Sequence, residues 1–258
     1  MRSLYLDCSS GVSGDMVLAS LAHALEEIEG AGSGFARLEK DLNSLGITGF
    51  ALQWSQKKVA GILTWHVDVV QTEDQPLRTY SNLIDIIEKS TISGRVKERA
   101  KQALTLLGEA EAKVHGVDLE EVHFHEIGAV DTIVDIVGAM LLIEAFQVDS
   151  VTCSPIDLGS GFVMCAHGNM PVPAPACAEL ACGLMTFGSD CGMERATPTG
   201  LTILRTIADT CGPMPMGSIL GGGYGSGGRS CAEQPTFVRA FLLEEFVVPV
   251  PDRNADNA

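Results

Sequence analysis

Residues 120–138, EEVHFHEIGAVDTIVDIVG, bring two histidines, a glutamate and two aspartates into one short stretch. His123 and His125 alternate with Phe124, so an extended backbone points both imidazoles to one side. Glu126 follows at the bend into a helix. On that helix Asp131 and Asp135 stand one turn apart and share a face, among Val130, Ile133, Val134, Ile136 and Val137. Ionised groups are costly to bury unless something pairs with them. Imidazole with carboxylate suits a divalent ion such as nickel, zinc or iron. The competing structural reading makes Asp131 a helix cap and Asp135 a buried, hydrogen-bonded acid, with the histidines on a solvated edge.

Two further stretches carry candidate chemistry. DCSSGVSGDM places Asp7 at a strand end, then small residues, then Asp15 at a helix start. Free N–H groups and the helix dipole there favour an anion such as phosphate. Asp7 and Asp15 could instead hold a hard cation bridging to it, or the stretch could be a plain capped turn. MCAHGNMPVPAP sets Cys165 and His167 close together, a soft pair suited to nickel, copper or zinc, or else a buried thiol beside a loop histidine. GGGYGSGG contains Gly223, Gly225 and Gly228 in a G-x-G-x-x-G spacing. A dinucleotide fingerprint needs a helix after it. Here the strand-like PTFVRAFLL comes next, so that reading is rejected.

The elements that must position these groups alternate between strand and helix. SLYLDC reads as a strand, and Met16–Ile28 as a helix capped by Ser13 or Asp15. A second helix is expected at Phe35–Leu45, and FALQWSQKKVAGILTWHVDVV alternates as a hairpin. Residues 80–115 read as helix broken near STISG, and Gly128–Phe146 as a strongly apolar helix. SVTCSPIDL reads as one strand, PVPAPACAELACG as a helix opened by prolines, and Thr197-Pro198 as the start of a helix over Thr199–Thr210. TFVRAFLLEEF ends the fold as a strand. The pattern predicts an α/β fold with a mixed sheet and helices packed on it, over a domain 1–246 with a tail or linker at 247–258.

The chain has 258 residues and a formal charge of −16, with no cluster of basic residues. A nucleic-acid-binding surface is therefore not expected. Eight cysteines without a C-x-x-C pair, no signal-peptide pattern and no apolar run of spanning length point to a cytoplasmic protein with reduced thiols and no membrane contact.

YLDCSSGVSGDM, VHFHEIGAVDTIVDIVGA, CAHGNMPVPAPA and ATPTG, in this order, resemble the LarC-type nickel-insertion proteins from residue 3 to about residue 245. The resemblance implies a CTP-dependent nickel chelatase acting on pyridinium-3,5-bisthiocarboxylic acid mononucleotide. Its product has one nickel–carbon and two nickel–sulfur bonds, and CTP goes to CMP and pyrophosphate. It implies nickel held by His123, His125, Glu126, Cys165 and His167, and a proton-accepting group among Glu126, Asp131 and Asp135. The substrate would lie against Asp7, Ser10, Gly11, Ser13, Gly14, Asp15, Thr197 and Thr199. It also implies a C-terminal LarC-type domain or subunit that binds CTP with Mg or Mn, and a lactate racemase-type apoenzyme as recipient of the cofactor. In QTEDQPLRTYSNLIDII this chain lacks the histidine-rich stretch common in that family. Two other readings stand beside it, a non-enzymatic nickel carrier or scaffold and a His/Asp metal-dependent phosphohydrolase.

Overall fold

The computed structural model describes residues 1–74, 76, 78–122, 129–165, 168–229 and 234–246. The first strand, β1 (Arg2–Asp7), leads through a tight loop into helix α1 (Gly14–Glu29), then α2 (Phe35–Leu42). A hairpin of β2 (Phe50–Val59) and β3 (Ile62–Gln71) follows. Its turn uses left-handed backbone at Ala60 and Gly61, with φ of 49° and 83°, the geometry that matches strand twist. Helices α3 (Tyr80–Lys89), α4 (Gly94–His115) and α5 (Ala129–Phe146) come next. The second half carries β4 (Ser150–Cys153), β5 (Ile156–Asp157), β6 (Phe162–Cys165), β7 (Gly168–Pro171), α6 (Pro175–Ala181) and β8 (Thr186–Phe187). It closes with α7 (Pro198–Ile207), β9 (Thr210–Cys211), β10 (Gly217–Ser226) and β11 (Phe237–Glu245).

The main sheet has the order β2-β3-β10-β11-β1-β4-β9. Strand β1 lies parallel to β4 and antiparallel to β11, so the sheet is mixed, and the fold is α/β as the alternation predicts. Helix α5 buries Val130, Ile133, Val134, Ile136, Val137, Ala139 and Met140. Apolar on nearly every side, it is an interior helix packed against α1, α2, α4 and α7.

The glycine-rich stretch is itself strand β10, and its glycines seat α1. A Cβ at Gly223 would overlap the backbone of Ser20 and Ala24, one at Gly225 the backbone of Met16 and Ser20, and one at Gly221 the Ile28 side chain. Alternate residues face one side of a strand, so these three glycines form a flat strip on which the helix backbone rests.

Three boundaries differ from the sequence expectation. SVTCSPIDL divides into two strands in different sheets, β4 beside β1 and β5 beside β8. Pro155 between them has no N–H for a ladder. Helix α7 stops at Ile207 because Thr210 and Cys211 pair with Thr152 and Cys153. The last turn expected of α2 tightens into a 3-10 turn at Asn43–Leu45, closed by left-handed Gly46.

Candidate functional site

The starts of α1 and α5 meet, and carboxylates gather there. Ser13 has the extended backbone of an N-cap, yet its side chain makes no bond to the helix N–H groups. It donates instead to Asp15 Oδ1, which also accepts from the Met16 amide at 2.9 Å. The Asp135 carboxylate lies against Gly14, where a Cβ would overlap it. Asp131 sits in the first turn of α5, one turn before Asp135.

Asp131 and Asp135 each bury one carboxylate oxygen that has no hydrogen-bond partner among the described residues. Burial pushes the Asp135 carboxyl well above its ordinary value, and the neighbouring charges of Asp15 and Asp131 push it further. Burial also raises Asp131. A buried carboxyl without a cation holds its proton. Among the described residues, no lysine or arginine forms an ion pair with Asp15, Asp131 or Asp135.

The base of the site is formed by residues that the motifs did not reveal. His66, on β3, is buried, with Nδ1 at 2.7 Å from the Ser226 carbonyl and Nε2 at 2.9 Å from Asp68 Oδ1. Its Nδ1 also lies 3.8 Å from Asp15 Oδ2. Thr64 Oγ1 donates to Ser226 Oγ at 2.8 Å and ties the same two strands. The signal was present in ILTWHVDVV, where Thr64, His66 and Asp68 alternate with apolar residues and so share a face.

The loop between β1 and α1 is fixed from three sides. Asp7 accepts from Ser9 N at 3.0 Å, Ser9 Oγ at 2.6 Å and the Arg239 guanidinium, its register partner on β11. Burial alone would raise the Asp7 carboxyl, but the hydrogen bonds from Ser9 and Arg239 outweigh it and hold it below the ordinary value. Gly11, at φ 99°, packs on the Arg195 backbone, where a Cβ would overlap the carbonyl. The Arg195 side chain is buried beside Asp157, with Nε 3.4 Å from Oδ2, and donates to the carbonyls of Ser10, Gln234 and Pro235. Thr197 caps α7 by accepting from Gly200 N at 3.3 Å, and Thr199 is buried within that helix. Gly200 in turn packs on the backbone of Val12 and Ser13.

Asp15, Asp131 and Asp135 therefore come together, while Asp7, Ser10 and Gly11 are engaged by Arg239 and Arg195. Cys165 ends β6, and its thiol faces the Gly168 carbonyl at 3.4 Å. His123, His125, Glu126 and His167 lie outside the described residues. Among the described residues, no group of three or more His, Cys, Asp or Glu side chains is arranged to hold a metal ion.

Residues 4–257 match the family described as "Nickel insertion protein". The chain belongs to that family. It is 40% identical over 263 residues to a putative nickel insertion protein of Desulfotalea psychrophila, covering 99% of this chain and 66% of that one. It is 39% identical over 255 residues to the pyridinium-3,5-bisthiocarboxylic acid mononucleotide nickel insertion protein of Geobacillus kaustophilus, covering 95% of this chain and 60% of the relative. A putative nickel insertion protein of Geotalea uraniireducens is 39% identical over 252 residues, with 98% and 63% covered. The chain thus spans less than two thirds of the length of these relatives. No solved structure matches it. No helix among the described residues is long and apolar enough to cross a membrane.

Proposed function

We propose that this chain is the nickel-handling part of a CTP-dependent nickel chelatase that inserts nickel into pyridinium-3,5-bisthiocarboxylic acid mononucleotide. The observation that carries the reading is the gathering of Asp15, Asp131 and Asp135 where α1 and α5 begin, in a chain of the nickel insertion family. Nickel is cargo here. His123, His125 and Glu126, which directly precede α5 in the chain, are its proposed holders, with Cys165 and His167 as a second soft pair.

Forming a nickel–carbon bond at the pyridinium ring releases one ring proton while the C–H electron pair becomes the bond to the metal. Glu126, Asp131 or Asp135 accepts that proton, and nickel remains divalent. An arriving divalent ion favours the ionised form of a buried carboxyl, so the same ion that the cluster attracts displaces its carboxyl protons to solvent and leaves a carboxylate free to accept the ring proton. The nucleotide phosphate is proposed to dock on Ser10–Asp15, near Thr197 and Thr199. Because Asp15 and Asp135 flank the start of α1, a phosphate there would come with a divalent cation between them.

CTP with Mg or Mn is assigned to a C-terminal LarC-type domain or subunit, and a lactate racemase-type apoenzyme to the role of recipient. The test is nickel transfer to the mononucleotide, followed by mass spectrometry, with CTP and with the remaining part of a full-length relative added in trans. Nickel-loaded product that requires CTP supports the proposal. Nickel binding without product in every mixture would leave a carrier, and turnover of a simple phosphate ester would indicate a metallohydrolase.

A further inference from the structure

We propose that His66 is a positioning residue for Asp15, fixing the carboxylate that the site presents to its cation. The inference rests on the reading above, in which the carboxylates at the starts of α1 and α5 serve nickel.

His66 is held so that it cannot turn. The Ser226 carbonyl can only accept, so Nδ1 at 2.7 Å carries a hydrogen, while Nε2 is engaged by Asp68 at 2.9 Å. Rotation of the ring would break both contacts. Ser226 is buried in turn and bound by Thr64, so the imidazole is mounted on the joint between β3 and β10.

That joint lies behind Asp15. One oxygen of Asp15 is tied to Ser13 and to the Met16 amide. The other faces His66 Nδ1 at 3.8 Å, close to Gly227. One oxygen is therefore held by hydrogen bonds, and the other lies beside the locked ring. The Asp15 side chain keeps 27% of its surface exposed, whereas that of His66 keeps 2%. A ligand reaches the carboxylate and not the ring. Among the described residues, His66 is also the basic side chain that comes within 4 Å of this cluster, since the salt bridges of the site include no lysine or arginine at Asp15, Asp131 or Asp135. Asp15 is next in the chain to Gly14, against which the Asp135 carboxylate rests.

A double-mutant cycle on the full chain tests this, with His66→Asn, Asp15→Asn and the pair. The asparagine amide retains a donor for the Ser226 carbonyl and so preserves the strand joint. Nickel affinity by calorimetry and the visible spectrum of the Co(II)-loaded protein are the readouts, with a thermal melt on each sample. His66→Asn should weaken nickel binding by about 10–100-fold, the usual effect of losing a group that orients a ligand, and shift the cobalt bands. In the Asp15→Asn background the same change should add almost nothing, because the two residues act through one contact. Should His66→Asn fail to fold, Asp68→Asn replaces it, since that exposed side chain loosens the ring from outside. Unchanged affinity, or fully additive losses, would overturn the inference alone. A wild-type chain that binds neither metal would overturn the metal reading as well.

Discussion

The Asp135 carboxylate rests against the Cα of Gly14, so the second turn of α5 and the first turn of α1 touch through an acid and a residue with no side chain. Gly14→Ala should therefore be costly although alanine favours helices. The added methyl meets a carboxylate that cannot withdraw into the apolar face of α5, and overpacking of this kind costs about 1–3 kcal/mol. Ser13→Ala removes only the bond to Asp15. It should leave stability nearly unchanged and weaken mononucleotide binding. Melts and binding isotherms on the two variants separate packing from ligand contact.

Asp135 also sets a pH signature. Its folded-state carboxyl ionises well above the ordinary 3.8, chiefly through burial. As pH rises past 3.8 the unfolded chain gives up this proton while the folded chain keeps it. Stability from this group is full below that value and falls until Asp135 itself ionises. Asp131 acts in the same direction. Asp135→Asn cannot ionise, so its melting temperature should gain on that of the wild type as pH is raised from 3.8. A constant difference across the range would mean that Asp135 ionises normally in the fold.

The Asp7–Arg239 pair has the opposite sign. Asp7 is held below its ordinary value, so its contribution is present above 3.8 and is lost as pH falls through the folded-state value. Arg239→Met leaves a largely buried carboxylate with Ser9 alone. The Arg239 side chain is 41% exposed and water partly replaces it, so a loss of about 1–3 kcal/mol is expected. Urea melts at neutral pH and at pH 3 should show the penalty shrinking in acid.

Glycine substitutions on β10 test how α1 is seated. Gly223→Ala and Gly225→Ala place a methyl into helix backbone, which cannot rotate aside as a side chain can. Each should cost at least about 1–3 kcal/mol. Gly94→Ala, in open space at the start of α4, should stay within about 0.5 kcal/mol of wild type. Equal effects at the three positions would mean that the strip does not carry the helix.

Much of this fold was legible in the order of its patterns. The hairpin, the apolar helix through Asp131 and Asp135 and the Thr197-Pro198 helix start are all local signals, set by period and by caps. The site was legible only in part. Asp131 and Asp135 stood out because two acids interrupt an apolar run. Asp15 stood out at a helix start. His66 did not, because its meaning depends on Ser226, 160 residues away in sequence, and on the packing of α1 over β10. Arg195 and Asp157 escaped for the same reason, as a buried ion pair between a loop and the end of a two-residue strand has no period to betray it. The glycines of β10 matched the spacing of a dinucleotide fingerprint locally, when the close approach of a helix backbone is what requires them.

His123 and His125 provide the decisive comparison with Asp135. On the proposed reading the two imidazoles hold nickel, and the acids beside α1 take up the ring proton or orient the complex. A His123→Ala/His125→Ala double variant should then fold with a wild-type melting temperature and lose most bound nickel. Asp135→Asn should bind nickel more weakly, by about 10–100-fold, and insert it poorly. If the motif is only structural, the pattern inverts. The histidine variant would then retain nickel, while Asp135→Asn would change the melting temperature alone. Nickel titrations and melts on the same three proteins decide between these outcomes. Full nickel content in the double histidine variant would remove both imidazoles from the site and leave the carboxylates at the starts of α1 and α5 as the place where the metal must be sought.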